Sequence, residues 1–152
     1  MVTERKSSLV PNEAGEARRP LSNIHVLVVD DDEDSRELIA FILEGAGATV
    51  KQAESVPNAI HAVASDDFGV LVSDIGMPVE DGYDLIRRLR AGGASEQSRG
   101  VPAVAVTAFS APEDRNRALS AGFQEHLAKP VDIIALVDVV ARLAAAKVDL
   151  PS

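Results

Sequence analysis

Five polar side chains in this 152-residue chain stand at the ends of apolar runs. Asp30 and Asp31 follow Ile24-His25-Val26-Leu27-Val28-Val29, and Asp74 follows Gly69-Val70-Leu71-Val72-Ser73. Thr107 closes Val101-Pro102-Ala103-Val104-Ala105-Val106, and Lys129 comes directly after residues 123–128. Three carboxylates brought together repel one another. Mg²⁺ takes hard oxygen donors, keeps some of its water and relieves that repulsion. Asp74 then stays ionised as a nucleophile toward phosphorus. Lys129 offers a compact positive charge and Thr107 a hydroxyl donor to the oxygens of a transferred phosphoryl group. Each residue alone has a plainer reading. A lysine is usually solvated, a strand-end threonine is a β-branched strand former, and the run Asp30-Asp31-Asp32-Glu33-Asp34 marks a helix start capped by Asp32 or Asp34. The order of all five along the chain points to phosphoryl transfer.

The elements that must position them alternate. The nearly continuous apolar run at 24–29 suits a strand buried on both faces, and 48–53, 69–74, 101–107 and 123–128 read as four further strands. Between them lie helical periods. Leu38, Ile39, Phe41, Ile42 and Leu43 recur at helical spacing and end at Gly45 and Gly47. Ser55 caps a helix to about 65 with Ile60 and Val63 inward. Leu85, Ile86 and Leu89 mark a third helix, and residues 111–121 a fourth. Asp132 caps the last, with Ile133, Leu136, Val137, Val140 and Leu143 on one side. Strands that alternate with helices imply a parallel sheet covered on both faces. Right-handed crossovers restrict it to a doubly wound α/β fold. The flavodoxin-like order 2-1-3-4-5 is one such arrangement, and its ligands sit at the carboxyl ends of strands 1 and 3. That rule brings Asp30, Asp31 and Asp74 to one crevice.

Composition bounds the rest. No cysteine is present, which excludes disulfides, thiolate metal sites and cysteine nucleophiles. No apolar run is long enough to cross a bilayer, and the first residues lack the apolar core of a signal peptide, so no membrane role and a cytoplasmic location are expected. The net charge of −9 argues against nucleic acid as a partner. Residues 1–22 carry Arg5, Lys6, Arg18 and Arg19 against Glu4, Glu13 and Glu16, so the acidic excess lies entirely beyond them. With no apolar period, they read as a disordered N-terminal tail. The folded domain is expected at 23–147, with 148–152 as a C-terminal tail.

The segments Val28-Val29-Asp30-Asp31-Asp32, Val72-Ser73-Asp74-Ile75-Gly76-Met77-Pro78 with Asp81-Gly82, Val106-Thr107-Ala108, and Lys129-Pro130 resemble, in this order, the receiver domain of two-component response regulators. The resemblance covers about 23–146 and extends to receivers attached to hybrid histidine kinases. It implies a five-stranded (βα)5 fold and Asp74 as phosphoacceptor. A sensor histidine kinase or a histidine phosphotransfer protein would be the donor. It also implies Asp31 and Asp74 as direct Mg²⁺ ligands, with the backbone carbonyl of Gly76, while Asp30 acts through water. Thr107 and Lys129 would contact the phosphoryl oxygens. Where the family often carries Tyr or Phe three residues before the lysine, this chain has His126, which reads equally as a switch residue and as an ordinary strand histidine. His25 and His61 read as structural. Gly76 and Phe109 flank the path that the resemblance assigns to an attacking water. Pro130 can hold a tight turn in either isomer.

The expected function is a switch that catalyses only its own phosphorylation and dephosphorylation and signals through protein contacts, as a monomer or weak homodimer with an unknown downstream protein. No organic cofactor is expected. Two other readings stand beside it. One is a phosphohydrolase with an aspartyl-phosphate intermediate, to which Asp30 and Asp32 offer an Asp-x-Asp spacing. The other is an unphosphorylated scaffold.

Overall fold

The computed structural model describes residues 19–108 and 111–149, with side chains described through residue 146. Phe109 and residues 1–18 of the expected tail lie outside the described residues.

The strands are β1 (His25–Val29), β2 (Thr49–Ala53), β3 (Val70–Ser73), β4 (Ala103–Thr107) and β5 (Glu125–Ala128). All pairings are parallel, in the order β2-β1-β3-β4-β5. The helices are α1 (Glu33–Gly45), α2 (Val56–Ser65), α3 (Gly82–Arg90), α4 (Pro112–Ala121) and α5 (Ile133–Asp149), with a 3₁₀ turn at Gln97–Gly100.

Alternation of side chains along the strands builds two apolar layers. Val26, Val28, Val70, Val72, Val104 and Val106 pack with Ile39 and Leu43 of α1 and Leu136 and Val140 of α5. Leu27, Val29, Leu71, Ala103 and Ala105 face the other way, onto α2, α3 and Ala118 of α4. A sheet covered on both faces explains why its central strands β1, β3 and β4 are apolar and buried, whereas the edge strands β2 and β5 carry polar, more exposed side chains.

Local signals fix the helix ends. The Ser55 hydroxyl accepts the Asn58 N–H at 3.3 Å. Asp81 and Asp84 form a reciprocal capping box at the start of α3. Asp132 accepts the Ile134 N–H at the start of α5. Asp32 takes the cap position of α1 in extended conformation without a side-chain cap bond.

Three details differ from the sequence reading. Leu21, placed with the tail, is fully buried, and its N–H bonds the Ala46 carbonyl at 3.0 Å. Its single large apolar side chain fills the α1–α5 layer, a contact that periodicity does not register. Ile133 is exposed, whereas Leu136, Val139, Val140 and Leu143, farther along α5, are buried in the core. The backbone of α5 continues through Asp149, beyond the expected end at 147.

Candidate functional site

Register places the polar strand ends. Val29 pairs with Ser73, so the next residues, Asp30 and Asp74, lie side by side. The Asp74 N–H donates to the Val29 carbonyl at 2.8 Å. Ser73 pairs with Ala105, two residues before Thr107, and Thr107 pairs with Ala128, one residue before Lys129. The Lys129 N–H donates to the Thr107 carbonyl at 2.9 Å. The Lys129–Pro130 peptide is cis.

The result is a cluster at the carboxyl edge of the sheet. One carboxylate oxygen each from Asp30, Asp31 and Asp74 lies within 4.8 Å of the others. Asp30 is 1% exposed, Asp74 is nearly as buried, and Asp31 faces solvent. Lys129 Nζ donates to Asp30 Oδ2 at 2.9 Å and stands 3.7 Å from Asp74 Oδ2. Thr107 is buried beside them. An all-oxygen set of this kind fits a hard cation such as Mg²⁺ better than a soft one.

Burial pushes the Asp74 carboxyl above its usual value, and the neighbouring Asp30 charge adds to the rise. Lys129 and the N–H groups of Ile75 and Gly76 oppose it. The Ile75 N–H to Asp74 Oδ1 bond is 2.8 Å. Burial also draws down the Lys129 ammonium, but its bond to Asp30 and the charges of Asp74, Asp30 and Asp32 outweigh this and leave it raised. The cluster is therefore an anionic pocket bridged by the Lys129 ammonium, and burial strengthens every charge effect in it.

Other residues hold the frame. Arg36 of α1 donates to the Asp30 carbonyl at 3.0 Å and to Gln52 of β2. Ser73 Oγ donates to the Asp74 carbonyl at 2.8 Å. Gly82 starts α3 hard against the site. A Cβ there would strike the Asp74 carbonyl oxygen and come within 2.8 Å of Ile75 Cα. The sequence singled out none of these as site residues, although Ser73 and Gly82 fell within the motif segments around Asp74. His126 is half-buried on β5, paired with Ala105. His25 packs its ring on Phe68 with centroids 4.4 Å apart, and His61 is exposed.

Among the described residues, no helix is long and apolar enough to cross a membrane.

Residues 26–141 match the family described as the response regulator receiver domain. A 14.6 kDa protein from the sodA1 3′ region of Leptolyngbya boryana is 42% identical over 122 residues, which are 79% of this chain and 89% of that protein. The sensor histidine kinase RcsC of Salmonella typhi is 34% identical over 116 residues, 76% of this chain but only 12% of the kinase. The chain thus spans about one eighth of that relative. Among solved structures, the receiver domain of the sensor histidine kinase PA1611 of Pseudomonas aeruginosa superposes with a TM-score of 0.73. It is 28% identical, over 82% of this chain and 99% of that one, and it carries a magnesium ion in its active-site cleft.

Proposed function

The chain belongs to the response regulator receiver domains of two-component signalling, and from that premise we propose that it is a switch phosphorylated on Asp74. One observation carries the reading. Lys129 spans Asp30 and Asp74 at 2.9 and 3.7 Å, and Asp31 completes a three-carboxylate cluster. A charge set of this kind is costly unless it serves a ligand.

The residues divide the work. An Asp74 carboxylate oxygen attacks phosphorus in line as the phosphorus–nitrogen bond of a donor phosphohistidine breaks, and the imidazole leaves with its electron pair. Asp31, Asp74 and the Gly76 carbonyl would hold Mg²⁺, with Asp30 acting through water. When bound, Mg²⁺ neutralises the carboxylates and the phosphoryl oxygens. Lys129 exchanges part of its hold on Asp30 for a phosphoryl oxygen. Thr107 donates its hydroxyl to another. The product carries about −1.5 to −2 charges near neutral pH. Thr107 and His126 pass the change toward the face formed by α4, β5 and α5, where a downstream protein reads it. The chain catalyses only this transfer and its hydrolysis, in the cytoplasm, as a monomer or weak homodimer.

A protein donor is favoured over a small one by the exposed apolar side chains of α1 and α5, the helices that follow Asp31 and Lys129 in the chain. Leu38 and Phe41 of α1 and Ile133 and Ile134 at the start of α5 expose apolar side chains, with Phe41 at 75% and Ile134 at 78%. A sensor histidine kinase or histidine phosphotransfer protein would cover them.

The test is acid-labile labelling by acetyl phosphate in Mg²⁺. The wild type takes up one phosphoryl group and Asp74→Asn none. Undiminished labelling of the variant would remove the assignment.

A further inference from the structure

Helix α4 is held by little apolar contact. Of its ten residues only Ala118 is buried, whereas the nine-residue α3 buries five. Its two ends are secured differently. Just past its C-terminus, the Gly122 carbonyl accepts Arg90 Nε at 3.0 Å and Nη2 at 2.8 Å. Arg90 also reaches Gln124 Oε1, which takes the Ala103 N–H of β4 at 2.7 Å. Phe123 is buried there. That end is therefore pinned to the sheet and to α3. At the other end the capping bond, from the Ala111 N–H to Asp114 Oδ2, is internal to the helix start.

Among the described residues, a directional contact lies between the two. The Arg117 guanidinium carbon sits 4.1 Å from the centroid of the Tyr83 ring, well inside cation–π range. Arg87 is farther, at 5.8 Å. The Tyr83 ring is buried and belongs to α3. Tyr83 directly follows Gly82, whose backbone abuts the Asp74 carbonyl and whose N–H donates to Ile75 at 2.8 Å. A continuous mechanical path thus runs from the Asp74 backbone through Gly82 and Tyr83 to Arg117.

We infer that Arg117 on Tyr83 is a latch that holds α4 in its resting position, with the Arg90–Gly122 joint as its hinge, and that phosphorylation of Asp74 opens it. The inference rests on Asp74 being the phosphoacceptor. A weak, orientation-dependent contact suits such a role, because a small displacement of the ring releases it. Arg117 is a positioning residue, remote from the phosphoryl group.

The chain contains one tyrosine and no tryptophan, so its intrinsic emission reports Tyr83 alone. The full chain is compared as wild type, Arg117→Met, Arg117→Lys and Asp74→Asn, each with and without beryllofluoride and Mg²⁺. Beryllofluoride changes Tyr83 emission in the wild type and leaves Asp74→Asn unchanged. Resting Arg117→Met already emits close to the activated wild type. It binds beryllofluoride about two- to five-fold more tightly, as loss of one cation–π contact from the resting state alone requires. Amide exchange over 113–120 quickens several-fold while that of α3 is unaltered, and Arg117→Lys restores part of each change. If wild type and Arg117→Met match in emission, exchange and beryllofluoride affinity, the latch is overturned. If the wild type gives no Asp74-dependent beryllofluoride binding, the phosphoacceptor reading falls, and the latch loses its input with it.

Discussion

Replacement of Lys129 by Met removes one charge and keeps the length of the side chain. The backbone bond from residue 129 to Thr107 is untouched, so the variant isolates the ammonium. That ammonium stands 2.9 Å from Asp30 and 3.7 Å from Asp74. A unit-charge pair at about 4 Å is worth ~1 kcal/mol in water and ~4 kcal/mol at an effective dielectric near 20. Side-chain exposures of 1% for Asp30, 10% for Asp74 and 24% for Lys129 place the pairs toward the upper part of that range. The methionine recovers the cost of desolvating the ammonium, which offsets part of the loss. The metal-free variant should be less stable by about 2 kcal/mol in urea unfolding. Because the Lys129 pKa is raised above 10.5, the deficit persists across neutral pH and closes only as alkali discharges the wild-type lysine. The opposite sign appears in Mg²⁺ titrations. With one less cation in the pocket, the variant should bind Mg²⁺ about tenfold more tightly, the equivalent of ~1.4 kcal/mol. Saturating Mg²⁺ stabilises both proteins, but the tenfold difference in affinity favours the variant by ~1.4 kcal/mol and should erase most of the stability deficit. Equal metal-free urea midpoints together with equal Mg²⁺ affinities would refute the electrostatic account of the pocket.

Three further outcomes follow from the same geometry. The raised Asp74 pKa means that the folded, metal-free chain binds more protons than the unfolded one between 3.8 and the raised value, so stability falls as pH climbs through that window. Asp74→Asn should therefore melt at a higher temperature than the wild type at neutral pH without Mg²⁺, and lose that advantage below pH 3.8. Gly82→Ala forces a methyl into the Asp74 carbonyl and Ile75 Cα, with backbone on both sides and no side chain to yield. It should cost about 1–3 kcal/mol by overpacking and slow labelling by acetyl phosphate, with circular dichroism and labelling as the measures. Phe41→Asp places a charge on the exposed apolar face of α1. It should weaken phosphotransfer from a phosphohistidine protein at least several-fold and leave acetyl phosphate labelling unchanged, so equal loss with both donors would disprove the docking role of that face.

The central strands were legible because strands buried on both faces leave apolar runs, and their polar terminators Asp30, Asp74 and Thr107 stand out against them, whereas Lys129 follows the more polar edge strand β5. The doubly wound order then brought these residues together without any knowledge of side-chain contacts. What stayed hidden were contacts between surfaces distant in sequence. Nothing in the sequence marks Arg36, whose guanidinium reaches the Asp30 carbonyl. Gly82 reads as a turn residue, although its lack of a Cβ is what lets α3 start against Asp74. Leu21 sits in a polar stretch, and one isolated apolar side chain has no period to betray its burial. The inward reading of Ile133 failed because helical spacing identifies a stripe without saying how far toward the helix end the sheet extends beneath it.

The bond between Lys129 and Asp30 joins positions 99 residues apart, one following the first strand and the other the last. Between them in the sheet lie β3 and β4, each of which must be in register before the two side chains can meet. Such a contact forms late, since closing a loop of that length is opposed by chain entropy until the intervening pairings exist. The pocket is thus a certificate of completed folding. A nascent or misregistered chain has the same aspartates but lacks the assembled Asp30–Asp74–Lys129 cluster.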